Sequence, residues 1–284
     1  MIDLVFTLFL RGQGQSYAMG LAAAYVSIRQ RTKACLRLHV IVNNGIDVAV
    51  KEKLCKMLKG SDQIAFYSAS VLPGVEELGY SLDGRFSPAI VWRLWLGEYL
   101  DHLQRCVLLD CDLLFNADIQ DIWDLDLGDD ALSAPLRGHP HPPDLHAWLQ
   151  VPPEHYFRAC CCLINLEKFR SFQAFIDNRR KFLIESQSMY DQGLSQAGLL
   201  EQSVLNRFFS KLCTPLPLPV IPVERLKNHP RRTEWESVLL GGQDYILDIK
   251  GWMGRSPYVL RFWSLLLDTP WRDEAFRFCE GRLD

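Results

Sequence analysis

Residues 104–130 read Q-R-C-V-L-L-D-C-D-L-L-F-N-A-D-I-Q-D-I-W-D-L-D-L-G-D-D, and the run at 106–109 decides the fold. It is continuously apolar and holds β-favouring Val and Leu, the pattern of a strand buried on both faces. The run stops at Asp110-Cys111-Asp112, so two carboxylates stand where an interior strand meets its loop. On extended backbone, residues i and i+2 point the same way, so a turn closing around a cation brings Asp110 and Asp112 to one centre. Hard divalent ions such as Mg²⁺ or Mn²⁺ take oxygen ligands, often with only one or two carboxylates, leaving room for water and substrate phosphates. Acidic residues are also common in loops after strands, and an isolated Asp-x-Asp is equally compatible with a solvated loop. The surroundings favour a site. Residues 116–123 have an acidic, cap-like start that suits a loop returning over the strand end. Ligands of open α/β sheets bind at the carboxyl ends of strands, where the pair lies.

Upstream, residues 2–9 form a buried strand candidate and 16–29 an Ala-rich helix with Tyr17, Leu21, Ala24 and Ile28 at helical spacing. The polar loop between them, 11–15, faces the same edge as Asp110. A second strand at 35–42 ends in Asn43-Asn44-Gly45, a helix follows at 47–58, and a third strand spans 63–68. This repetition predicts a central mixed, mainly parallel sheet flanked by helices. The turn-rich connection at 72–88 has the length of a lid or binding loop, or of a solvated link. A helix at 89–100 carries Arg93 between Trp92 and Trp95, where an arginine either snorkels or pairs structurally.

Downstream, 131–136 is a strand candidate, and His139-Pro140-His141-Pro142-Pro143 opens an irregular excursion whose prolines favour an exposed loop over a metal site. Residues 160–166 read as a strand and 167–185 as one helix, whose Arg179-Arg180-Lys181 reads as a solvated face. A compact helix at 199–209, an extended four-proline segment at 212–222, a strand at 245–249 and an apolar helix at 257–267 complete the chain.

The 284 residues, 48% hydrophobic and 23% charged, fit a single domain. A net charge of -3 supplies no global basic field, so nucleic acid is not an expected partner. No window approaches a membrane span, the N-terminal stretch is unlike a signal peptide, and a cytoplasmic location is expected. The 9 cysteines, Cys35, Cys106 and Cys161 among them, read as small hydrophobes, and Cys160-Cys161-Cys162 lacks metal-ligand spacing.

Taken in order, these pieces resemble glycosyltransferase family 8, the retaining nucleotide-sugar transferases that include glycogenin and lipopolysaccharide galactosyl- and glucosyltransferases. The resemblance rests on Arg93-Leu-x-Leu96 and Gly97-Glu-Tyr-Leu100, then Val107-Leu-Leu-Asp-Cys-Asp-Leu-Leu114, then Ile122-Trp-Asp-Leu-Asp-Leu-Gly128. Thr7-Leu8, Tyr17-Ala-Met-Gly20, Leu163-Ile-Asn-Leu166 and Glu201-Gln-Ser-Val-Leu-Asn206 extend it over most of the chain. It implies a GT-A type Rossmann-like domain, with 1–130 as the nucleotide-binding half and 131–284 as the acceptor-side half with the C-terminal helices, that moves a hexose from a UDP-sugar to a hydroxyl of a glycan or glycolipid, with retention, as in lipopolysaccharide biosynthesis. It further implies that Asp110 and Asp112 hold Mn²⁺ or Mg²⁺ against the donor diphosphate. Tyr17 would pack on uracil, Arg93 would reach sugar or phosphate, and Thr7, Leu8 and Cys111 would line the donor. Gln202, with Glu201 beside it, would lie beneath the anomeric carbon.

The chain also departs from the family. Asp248 stands where a histidine is the third metal ligand, in Asp248-Ile249-Lys250-Gly251, and is expected to coordinate in its place. The expected phosphate lysine is absent, leaving Arg255 or Lys250, with Gly251, on the donor. Arg158 replaces a usual asparagine, Glu201 a usual aspartate, and Phe9-Leu10-Arg11 occupies the loop that reads uracil. Two other readings compete. The string 107–116 looks like a haloacid-dehalogenase-type phosphatase motif, but it follows about a hundred residues of βα units instead of opening the fold. A catalytically inactive glycosyltransferase-like protein that binds nucleotide or a partner is the second.

Overall fold

The computed structural model describes residues 1–10, 15–72, 74–75, 87–137, 148–192, 200–223, 231–249 and 257–280. Of the turn-rich connection at 72–88, residues 73 and 76–86 lie outside them, as do His139, His141, Lys250, Gly251 and Arg255.

The N-terminal part alternates as read: β1 (Ile2–Leu8), α1 (Gln15–Arg29), β2 (Leu36–Val42), α2 (Val48–Lys56) and β3 (Gln63–Ser68). These strands pair in parallel, β1 with β2 and β2 with β3. Asp47 starts α2 by accepting the Ala49 N–H at 2.8 Å, which satisfies one otherwise orphaned donor. The segment expected as one helix at 89–100 is α3 (Ala89–Trp92), a 3₁₀ turn (Arg93–Trp95) and α4 (Leu96–Tyr99). Then come β4 (Arg105–Leu109), β5 (Leu113–Phe115), α5 (Ile119–Trp123) capped by Asp118, β6 (Leu132–Ala134) and β7 (Cys161–Asn165).

The helix expected at 167–185 is broken into α6 (Leu166–Ser171) and α7 (Gln173–Asp191). Phe172 leaves helical geometry at ψ 87°, and its ring sits 5.5 Å from that of Phe209. Aromatic packing breaks the helix here without glycine or proline. The chain ends with α8 (Leu200–Phe209), β8 (Cys213–Pro215), β9 (Val220–Pro222), α9 (Arg232–Leu240), β10 (Ile246–Asp248), α10 (Pro257–Leu265) and α11 (Arg272–Glu280).

The main sheet has seven strands in the order β3-β2-β1-β4-β7-β6-β8. Parallel pairing runs from β3 to β4, and β7 is antiparallel to both β4 and β6. A second sheet, β5-β10-β9, was not foreseen. The period of two along each main strand divides the core. Leu4, Phe6 and Leu8 of β1 and Val107 and Leu109 of β4 join a cluster that takes in α1, the second sheet, α10 and α11. Val5, Cys106 and Leu108 join another beneath α3, α4 and α6 to α8. β4 is therefore covered on both faces, as its apolar run requires.

Two sequence readings are corrected. Arg179 is not solvated: it is buried, ion-paired with Glu98, donates to the Leu94 carbonyl at 2.8 Å, and stacks over Trp95 at 4.7 Å. An α7 arginine fills the gap over α4 because its planar cation satisfies carboxylate, carbonyl and aromatic face together. Cys35 is exposed outside β2, with its Sγ 2.9 Å from Ser61 Oγ, and does not behave as a core thiol. Among the described residues no helix is long and apolar enough to cross a membrane.

Candidate active site

The strand order reverses direction between β1 and β4: β2 and β3 lie to one side, while β7, β6 and β8 continue on the other. The carboxyl ends of β1 and β4 flank this switch point, and Asp110 follows β4 directly. Its N–H donates to the Cys160 carbonyl at 2.8 Å, so the β4–β7 ladder continues to the first carboxylate. Asp112 opens β5, and its carbonyl accepts the Ile249 N–H at 2.8 Å. The Asp110–Asp112 turn is thus clamped between the two sheets, with Asp248 opposite Leu113 in the antiparallel β5–β10 register.

Arg93 lies buried behind this turn. Its Nε donates to Thr7 Oγ1 at 3.2 Å, its Nη1 to the Ala159 carbonyl and Glu201 Oε1 at 3.5 Å each, and its Nη2 pairs with Asp110. Burial works against the guanidinium charge, but Asp110 and Glu201 outweigh it and hold the group firmly protonated. Burial pushes the Glu201 carboxyl above its usual range, and the Arg93 charge only partly opposes that rise. Tyr17, at the start of α1, has its phenol raised by burial and then by Cys111, Asp112 and Asp110. The half-exposed ring therefore sits in the negative field of the turn.

α8 carries the polar floor of the site. Gln202 Oε1 accepts the Ala159 N–H at 3.0 Å, and its Nε2 donates to Tyr156 Oη at 3.0 Å. One turn on, Asn206 Oδ1 accepts the Phe157 N–H and its Nδ2 donates to the Phe157 carbonyl, both at 2.9 Å. Residues i and i+4 of one helix face thereby fix the backbone on both sides of Arg158. The Arg158 N–H donates to the Pro135 carbonyl at 2.8 Å, its Nη1 to Val220 at 3.4 Å, and its Nη2 pairs with Asp248.

The expected residues are placed unequally. Arg93 joins Thr7, Asp110 and Glu201 directly. Leu8 and Cys111 turn their side chains into the apolar core, and burial drives the Cys111 thiol far up, so neither side chain is presented to a ligand. Asp248 adjoins Asp112 through β10, but its carboxylate is directed to Arg158. Among the described residues, no group of three His, Cys, Asp or Glu side chains is arranged to hold an ion. As a donor set, Asp110 and Asp112 supply the hard oxygens that suit Mg²⁺ or Mn²⁺, in the negative field felt by Tyr17. Asp248, paired with a guanidinium and fully buried, does not complete them, whereas Asp110 keeps 20% of its side chain exposed beside Arg93.

Tyr156, Asn206 and the Arg158–Asp248 contact escaped sequence reasoning. The i, i+4 spacing of Gln202 and Asn206 beside Leu205 and Phe209 is the signal that could have found the first two, because polar residues buried on a helix need partners.

Residues 9–219 match the family described as Glycosyl transferase family 8. No curated protein matches. Among solved structures, a galactosyltransferase, LgtC, in complex with donor and acceptor sugar analogues superposes with a TM-score of 0.72 at 22% identity, over 96% of this chain and 100% of that one. WbbM, a bifunctional glycosyltransferase, gives 0.70 at 16% identity over 98% of this chain, which spans about half of it, 51%. Mouse xyloside xylosyltransferase 1 gives 0.62 at 15% identity, over 90% of this chain and 100% of that one.

Proposed function

From the premise that this chain belongs to glycosyl transferase family 8, with a GT-A type fold, we propose that it is a retaining transferase moving a hexose from a UDP-sugar to a hydroxyl of a glycan or glycolipid. The observation that carries this reading is the Arg93 node, which ties the Asp110 carboxylate to Thr7 and Glu201 at the switch point of the sheet. Asp110 and Asp112 would hold a divalent ion, Mn²⁺ or Mg²⁺. When bound, such an ion stabilises negative charge growing on the diphosphate leaving group.

The remaining work falls to the chain's own residues. Tyr17 offers an exposed ring face to the base beside the acidic turn. Arg93 fixes Asp110 in one orientation, so the turn needs no rearrangement when the donor arrives. Gln202 has both ends of its amide engaged by Ala159 and Tyr156, which keeps it rigid and makes it a poor nucleophile. Attack by the acceptor hydroxyl on the face the diphosphate leaves, through an oxocarbenium-like state, follows from that arrangement better than a stable covalent intermediate. The Arg158–Asp248 contact favours a second reading, a nucleotide binder without turnover, because it withdraws an expected metal ligand.

Incubation with a panel of UDP-hexoses and Mn²⁺, followed by NMR of the first-formed sugar, separates these readings. Release with the donor's α configuration, lost in Asp112→Ala, is expected. A β-anomer formed first contradicts retention, and nucleotide binding without turnover across the panel identifies the binder.

A further inference from the structure

Arg158 and Asp248 are 90 residues apart in sequence, and each departs from the family pattern at its own position. The fold makes them partners: the guanidinium pairs with a carboxylate whose side chain is fully buried. The backbone that presents Arg158 is unusually constrained. Asn206 takes both polar groups of Phe157, Gln202 takes the Ala159 N–H, and Pro135 takes the N–H of Arg158 itself. The same short segment borders the acidic turn, since the Cys160 carbonyl receives the Asp110 N–H and the Ala159 carbonyl receives Arg93. The segment bordering the Asp110–Asp112 turn therefore carries a permanent cation, whose side chain is 17% exposed.

Both Asp110 and Asp248 are held by a guanidinium, but the Asp110 side chain is 20% exposed whereas that of Asp248 is fully buried, so Asp248 has neither the solvent access nor the uncompensated charge to take a second cation. A divalent ion on its other oxygen would stand close to a like charge in a medium that screens weakly. Arginine keeps its charge at any working pH and presents several donors in a planar fork, which suits phosphate oxygens as well as carboxylates. We propose that Arg158 is a phosphate-binding residue for the donor diphosphate, and that Asp248 is its positioning partner instead of a third metal ligand. The proposal rests on the donor site described above and narrows it: part of the diphosphate's charge is met by a fixed guanidinium, so UDP retains measurable affinity when the metal is chelated.

Two titrations on the full chain test this. Mn²⁺ binding is followed directly by the paramagnetic signal of the free ion, and UDP binding by calorimetry in chelator. The proteins are the parent, Asp112→Asn, Arg158→Gln, Asp248→Asn and the double variant Arg158→Asn/Asp248→His, which leaves no buried charge unpaired. Thermal melts confirm that each is folded. Arg158→Gln is expected to weaken metal-free UDP binding about tenfold or more, the scale of one charged hydrogen bond. Asp248→Asn is expected to leave Mn²⁺ affinity within about threefold of the parent, and the double variant to raise Mn²⁺ affinity while losing metal-free UDP binding. A fall in Mn²⁺ affinity in Asp248→Asn as large as that in Asp112→Asn overturns the proposal, and so does a double variant with no gain in Mn²⁺ affinity. A parent that binds no UDP under either condition defeats the donor reading itself, while the Mn²⁺ series still decides the role of Asp248.

Discussion

Arg93 and Arg158 both hold a carboxylate beside the Asp110–Asp112 turn, yet they are built into the molecule differently. Arg93 spreads its donors over Thr7 on β1, Asp110 after β4, Ala159 before β7 and Glu201 on α8, so it knits together four segments of the main sheet and its cover. Arg158 reaches Asp248 on β10 and the Val220 carbonyl on β9, both in the second sheet, and so acts as a strut between the sheets. Asp248 Oδ1 is buried with no hydrogen-bond partner among the described residues. A hub with all three guanidinium nitrogens engaged fixes the geometry of the turn. A strut whose side chain keeps 17% of its surface exposed is the one left able to meet a ligand.

The comparison breaks most sharply at Arg93. Arg93→Leu leaves Asp110 and Glu201 facing each other with no cation between them, and urea unfolding is expected to show a loss of about 3–5 kcal/mol, the cost of stripping a partner from a buried ion pair. A loss below about 1 kcal/mol would mean that the node is not structural. Arg158→Leu is expected to cost less, about 2–3 kcal/mol, because it strands one carboxylate and already keeps part of its surface in water. Equal losses for the two arginines would erase the distinction between hub and strut. Asn206→Ala, which unmakes both contacts to Phe157, is expected to lower stability by about 1–2 kcal/mol and to weaken metal-free UDP binding through the displaced Arg158. Unchanged binding would show that the α8 clamp does not position that residue.

The smallest effect concerns the protonation of Glu201. Its folded-state pKa is raised, chiefly by burial, so its contribution is fully present below the unfolded value, near 4.3, and is lost as pH rises through the folded one. The stability of the parent minus that of Glu201→Gln is therefore expected to decline from pH 4 toward pH 7, as read by melting temperature. A difference that grows with pH would mean that Arg93, not burial, governs this carboxyl.

What was legible in the sequence followed from repetition and abrupt change. The apolar run at 106–109 ending in two acids located β4 and the turn, and β3 matched at both ends because its β-favouring residues stop at Ser68. β10 was read as the strand at 245–249, but the second sheet was hidden because its partners β5 and β9 have three residues each, too few for a period of two to show. The break at Phe172 depends on rings supplied by α8, and the burial of Arg179 on Glu98 and Trp95 from α4 and the turn before it. At the site, Asp110, Arg93 and Glu201 came from matching positions, whereas the pairing of Arg158 with Asp248 exists only once β7 and β10 are brought together. Each substitution viewed singly looked like a weakened family trait. Their contact shows one charge balancing the other.

Isothermal titration of UDP into the parent and into Asp112→Asn, each with Mn²⁺ and with chelator, bears most directly on the claim that the turn after β4 grips a cation for a nucleoside diphosphate. The parent is expected to bind at least tenfold more tightly with Mn²⁺ than without it, and Asp112→Asn to bind equally in both. The same metal-dependent gain in the variant as in the parent would contradict the claim.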